Sequence, residues 1–166
     1  MGVKVAWVEW DWLAGLPTPA ARLDAWRGYM AAGGGGSSPL PPGFAWNDSD
    51  TDHYLVGEEF DRAVVETGEP TAGLIRRAFP LLGVAAFTRA EDALGLRPLA
   101  GNYFASLPPA SVRAVVAAAG QLDLADLAGR MDPEQPAEVL AYLRQWVVPF
   151  DRAAAEGRGI IAHTSG

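Results

Sequence analysis

Asn47–Glu59, NDSDTDHYLVGEE, gathers five carboxylates and one of the chain's two histidines into thirteen residues. Asp48, Asp50, Asp52 and Glu59 fall at relative positions 1, 3, 5 and 12. An EF-hand loop presents its oxygen ligands to a hard cation at that spacing. Two features oppose a preformed cage. His53 occupies position 6, where the sharp turn needs glycine, and the preceding flank Leu40–Trp46 holds two prolines and a glycine in place of a helix. The other reading is a solvated polar loop whose last aspartate, Asp52, caps the helix that follows. We assign no metal and no cofactor, with Asp48, Asp50, Asp52 and Glu59 as the alternative cation ligands. His53 beside Asp52 is also the natural general base and its orienting carboxylate. These two residues would be the catalytic pair of a small hydrolase or transferase. No HExxH motif, serine nucleophile elbow or paired-carboxylate motif accompanies them.

The second group of candidates is aromatic. Six tryptophans are many for 166 residues. Trp10, Trp12, Trp46 and Tyr54 lie among acidic residues. Large rings with a polar edge suit a protein–protein contact as well as a core. These four are the candidate ligand- or partner-binding residues. His163 closes the last strand and reads as a satisfied or exposed terminal histidine rather than a ligand.

Charge narrows the partners. The net charge is −7, which opposes phosphate backbones and anionic membranes unless a basic patch is concealed. Arg76-Arg77 is the densest basic point, so neither nucleic acid nor membrane is expected as a partner. A protein partner with a basic surface fits better. No cysteine is present, which removes disulfides and thiolate sites. No apolar run approaches the ~20 residues of a membrane span. Val3–Val8 is too short for the core of a signal peptide, and Glu9 and Asp11 interrupt it. A cytoplasmic location is expected. One lysine against twelve arginines, with abundant alanine and glycine, reads as the codon bias of a GC-rich bacterium.

The elements that must position these residues follow from periodicity. With an apolar fraction of 49% and a charged fraction of 20%, the chain is one globular domain spanning residues 1–166. Val3–Leu13 alternates as a strand, which puts Trp10 and Trp12 on one side and Trp7 on the other. Thr18-Pro19 opens a helix through Met30, with Leu23, Trp26 and Met30 on one stripe. Ala31–Gly43 is a flexible loop of glycine, serine and proline. It lacks the Lys-Ser/Thr that a phosphate loop needs after its glycines. Helices are expected over Glu58–Glu66 (closed by Gly68), Thr71–Phe79, Leu107–Ala119, Asp123–Met131 and Pro136–Glu156. The last has a stripe of Val139, Leu143, Trp146, Val147, Phe150 and Ala154 and loses one backbone bond at Pro149. Leu81–Thr88 is ambiguous between helix and strand. Gly159–His163 is a closing strand. The order predicts an α+β fold, with helices packed on a small sheet that joins the N-terminal and C-terminal strands.

Three stretches add a resemblance. GNYFASLPPASVRAV (Gly101–Val115), RMDPE (Arg130–Glu134) and LAYLRQWVVPFDRAAAEGRGIIAH (Leu140–His163) resemble segments of the YfbM-like bacterial domain of unknown function. Leu55–Gly68 resembles it too, ending in the family's Thr-Gly at Thr67-Gly68. The chain departs at Glu59 and Ala63, near positions where the family carries Trp and His, and it lacks a Tyr-Pro segment before the last helix. The resemblance implies the fold and no activity. The reading as a whole is a non-enzymatic protein-interaction or accessory (immunity-like) domain; the alternative is the hydrolase or transferase built on Asp48–His53. Calorimetric titration of metal-free protein with calcium, then magnesium, should give no micromolar binding. Micromolar binding abolished by Asp50→Asn would put the cation loop first.

Overall fold

The computed structural model describes residues 2–31, 44–45, 57–101 and 104–165. In chain order the elements are β1 (Gly2–Val8), α1 (Trp10–Ala14), α2 (Pro19–Ala31), β2 (Phe44–Ala45), α3 (Gly57–Thr67), α4 (Thr71–Ala78) and α5 (Val84–Arg89). They continue with α6 (Arg97–Ala100), β3 (Phe104–Leu107), α7 (Pro109–Ala119), α8 (Leu124–Met131), α9 (Pro136–Ala155) and β4 (Gly159–Ser165). The strands form one antiparallel sheet in the order β2-β1-β4-β3. β1 and β4 pair along their whole length, from Gly2 opposite Ser165 to Val8 opposite Gly159. The fold is α+β, and its two terminal strands share one sheet as expected.

Both faces of that sheet are covered. Side chains alternate across a strand, and here both parities are apolar. Val3, Val5 and Trp7 of β1 join Ala105, Leu107, Ile160 and Ala162 in a large core under α3, α4, α7, α8 and α9. Ala6 and Val8 join Phe104 and Ile161 in a second core under α1 and α2. Leu143, Trp146, Phe150 and Ala153 of α9 are fully or nearly fully buried in the large core, with Val139, Val147 and Ala154 packed at its edge. α9 continues through the buried Pro149.

The expected helix signals act as their chemistry requires. The Thr18 hydroxyl accepts from the Ala21 N–H at 3.1 Å, and Asp123 Oδ1 accepts from the N–H groups of Ala125 and Asp126 at 3.0 Å each. Both satisfy first-turn donors that have no partner within the helix. Gly68 leaves α3 with φ 73°, the left-handed conformation a helix C-terminus favours.

At four places the structure corrects, resolves or adds to the sequence reading. The first strand stops at Val8, and Trp10–Ala14 is helical rather than extended. The reason is Leu13: as a helical residue it reaches the second core and is fully buried, while Gly15 closes the helix by donating to the Asp11 carbonyl at 3.0 Å. Ala31 belongs to α2, and the rest of the expected flexible loop lies outside the described residues. Leu81–Thr88 divides into a buried turn at Leu81 and Leu82 and the helix α5. The strand β3 and the short α6 had no sequence counterpart. β3 is a four-residue strand buried along its whole length, so it shows no alternation to detect.

A polar knot fixes that unforeseen segment. Ser106, fully buried, donates to Asp92 Oδ1 at 2.7 Å and accepts from the Leu94 N–H at 2.9 Å. Asp92 also accepts from the N–H groups of Leu96 and Arg97, and the Arg97 guanidinium donates to the carbonyls of Ala90 and Phe104. Backbone bonds from Ser106 to Glu91 and from Ala93 to Ser106 cover the outer edge of β3, which would otherwise template foreign strands.

Trp146→Ala should lower stability by ~3–5 kcal/mol, the range for a truncated core aromatic. Thermal melting checks it: the midpoint should fall by roughly 10 °C. A midpoint that barely moves would mean that α9 presents this stripe elsewhere than to the core.

Candidate functional site

Where β1 and β4 leave the sheet, the chain makes two tight reversals. After Val8, Glu9 turns the backbone (φ −73°, ψ 97°) into α1. Before β4, α9 ends in a Schellman turn: the Gly157 N–H donates to the Ala154 carbonyl at 3.2 Å and the Arg158 N–H to the Ala153 carbonyl at 2.8 Å. Gly157 takes φ 66° there, a conformation that glycine enters without steric cost. Because Val8 pairs with Gly159, the two reversals lie side by side. The α7 N-terminus at Pro109 adjoins them.

Between them lies an open groove of about 320 Å³, lined by Glu9, Trp10, Asp11, Trp12, Pro109, Glu156, Gly157 and Arg158. Trp10 lies against β4. A Cβ on Gly159 would sit 2.3 Å from Trp10 Cε3 and 2.9 Å from the Leu107 carbonyl oxygen, so the absence of a side chain at Gly159 makes room for the indole. Trp12, two residues further along α1, is 38% exposed. Three carboxylates, Glu9, Asp11 and Glu156, face one guanidinium. Arg158 Nε donates to Glu156 Oε2 at 2.7 Å, and its Nη1 lies 3.9 Å from Glu9 Oε1. The N-termini of α1 and α7 and the C-terminus of α9 all border the groove, so backbone dipoles of both signs meet there. The full charges of the side chains set its sign, which is negative.

The sequence candidates are distributed as follows. Trp10 and Trp12 come together in this groove, on a helix instead of a strand. Glu59 is exposed in the first turn of α3, where negative charge suits the helix dipole. Trp46, Asp48, Asp50, Asp52, His53 and Tyr54 lie outside the described residues. Among the described residues no group of three His, Asp or Glu side chains could hold a metal ion. His163 lies in the last strand with its ring tilted against Phe104 at 4.7 Å and against Trp26 at 6.4 Å, in an aromatic cluster that includes Tyr29. Burial raises the Tyr29 hydroxyl above its ordinary pKa. Sequence reasoning missed Glu9, Asp11, Glu156 and Arg158. The alternation Glu9-Trp10-Asp11-Trp12 was the available signal for the first two. For Glu156 and Arg158 the signal was only their position around Gly157.

No family model, curated protein or solved structure matches this chain. No helix among the described residues is long and apolar enough to cross a membrane. The function must therefore be argued from the groove.

Gly159→Val should displace Trp10 and disturb the groove while leaving β4 a β-favouring residue. The expected result is a loss of stability of ~1–3 kcal/mol, the cost of overpacking, with a changed tryptophan emission. Unchanged emission and unchanged melting would show that Trp10 does not rest on Gly159.

Proposed function

We propose that this protein is a non-enzymatic interaction domain of the YfbM-like kind that docks a basic segment of a protein partner in the Trp12 groove. The observation that carries the reading is the composition of the groove: an exposed indole beside Glu9, Asp11 and Glu156, in a chain of net charge −7. A cation over a tryptophan face gains from the ring quadrupole, and neighbouring carboxylates strengthen and steer the encounter. Among the described residues the lining holds no histidine, serine, cysteine or lysine, and two of its three carboxylates, Glu9 and Glu156, are engaged by Arg158, which supports binding over catalysis at this place. A cytoplasmic setting, in keeping with the cysteine-free chain, would keep such a partner in reach.

The test is calorimetric titration with acetyl-tetra-arginine amide and, in parallel, acetyl-tetra-glutamate amide. The arginine peptide should bind, and its affinity should fall as salt is added, because exposed charges are screened. Trp12→Ala should weaken it about tenfold, the scale of a cation–π interaction at a partly exposed site. Equal binding of both peptides, or indifference to Trp12→Ala, would reject the groove as the docking surface.

A further inference from the structure

We infer that Arg158 is a resident stand-in for the partner's cation, occupying the acidic end of the groove in the free protein and leaving it when a basic segment docks. The inference rests on the reading above, and it names the residue that sets how tightly and how selectively the groove binds.

Four observations support it. First, Arg158 is held by the same two carboxylates a visiting guanidinium would seek: Glu156 at 2.7 Å from one end of the chain and Glu9 at 3.9 Å from the other. Second, Arg158 is the more covered partner, 24% exposed against 51% for Glu156 and 61% for Glu9. The two carboxylate side chains are thus more open to solvent than the guanidinium side chain that bridges them. Third, the hold is weak in kind. Ion pairs between partly exposed groups are screened by water and salt, and each adds little. A guanidinium arriving with additional contacts to Trp12 and Asp11 can displace one whose ion-pair partners among the described residues are Glu9 and Glu156. Fourth, the backbone does not depend on the side chain. The Arg158 N–H completes the Schellman turn by donating to Ala153 at 2.8 Å, and that bond persists whichever way the side chain points.

A purely structural role makes the opposite prediction. If Arg158 exists to neutralise Glu9 and Glu156 and so hold the groove together, removing its charge should loosen the groove and weaken binding. If Arg158 is a competitor, removing its charge should tighten binding, because three carboxylates then face the visitor unopposed. The direction of the change decides.

The experiment compares the wild-type chain with Arg158→Met, which keeps much of the aliphatic stem, by calorimetric titration with acetyl-tetra-arginine amide at low ionic strength. Thermal melting of both confirms folding. Arg158→Met should bind about 1.5-fold to fivefold more tightly, the range a weak ion pair spans when converted to affinity. Equal or weaker binding by the variant, with the wild-type chain still binding, would overturn the inference and leave the docking surface standing. Failure of both chains to bind would overturn the docking surface and the inference together. A second measurement needs no variant. With acetyl-tetra-lysine amide bound, the reactivity of Arg158 toward phenylglyoxal, read by mass spectrometry, should rise as the side chain is released. Unchanged or reduced reactivity would mean that Arg158 stays in place under the ligand, and the inference fails.

Discussion

Pairing of Gly2–Val8 with Gly159–Ser165 is the constraint on which the rest of this structure depends. These two strands occupy the middle of the sheet and carry apolar side chains toward both cores. In a sheet with one wet face, a slip of one residue is penalised because it drives apolar side chains into water. Here both faces are dry, so polarity alone would not fix the register. Size does. Trp7 points to the large core, Ala6 and Val8 to the small one, and Gly159 lies beneath the Trp10 indole. A slip of two residues would place Ile161 where Gly159 now gives Trp10 room. The glycine and the tryptophan lock a register that hydrophobicity leaves open.

The second core needs a further device, because α1 and α2 are a thin cover. Arg22 supplies one part. Its guanidinium donates to the carbonyls of Leu94, Ala14 and Leu16, tying the start of α2 to the end of α1 and to the segment before α6. The Asp92–Ser106–Arg97 knot supplies the other, fastening that segment to the edge of β3. Buried polar groups are costly unless every member finds a partner. Ser106 meets the demand by both donating and accepting a hydrogen bond. The polar residues therefore do what a larger apolar cover would otherwise do, and they do it with direction: each bond specifies one position of the 90–97 segment.

How much of this was legible in the sequence depends on whether one element carries its own signal. α9 announced itself because Leu143, Trp146 and Phe150 repeat at helical spacing and face a single core. α8 did so through the apolar spacing of Leu124, Leu127 and Met131, α2 through Thr18-Pro19. The terminal strands were readable as apolar segments, and their partnership follows from an isolated short strand being unstable. What escaped was decided by distant partners. Trp10–Ala14 alternates acid and aromatic like a strand, yet Leu13 turns it helical because the second core between β1 and α2 takes in that side chain. Phe104–Leu107 has no alternation since both its faces are buried. Of the candidate site, Trp10 and Trp12 were legible as large aromatics set among acidic residues. Glu156 and Arg158 were not, because only the β1–β4 register brings the end of α9 beside Glu9.

That last point joins the fold to the groove. Glu9 and Glu156 lie at opposite ends of the chain, and nothing in their local sequences relates them. The central strand pair places them a single guanidinium apart. The rigid parts of the arrangement are backbone bonds: the Schellman turn at Gly157, the Val8–Gly159 pair and the Gly15 closure of α1. The adjustable parts are exposed side chains, whose ion pairs contribute at most about 1 kcal/mol. Exchange of one cation for another at this mouth therefore perturbs interactions that are small beside those holding the sheet. A surface built this way can change its charge partner without changing its fold, which is the property a docking groove requires and a packed core forbids.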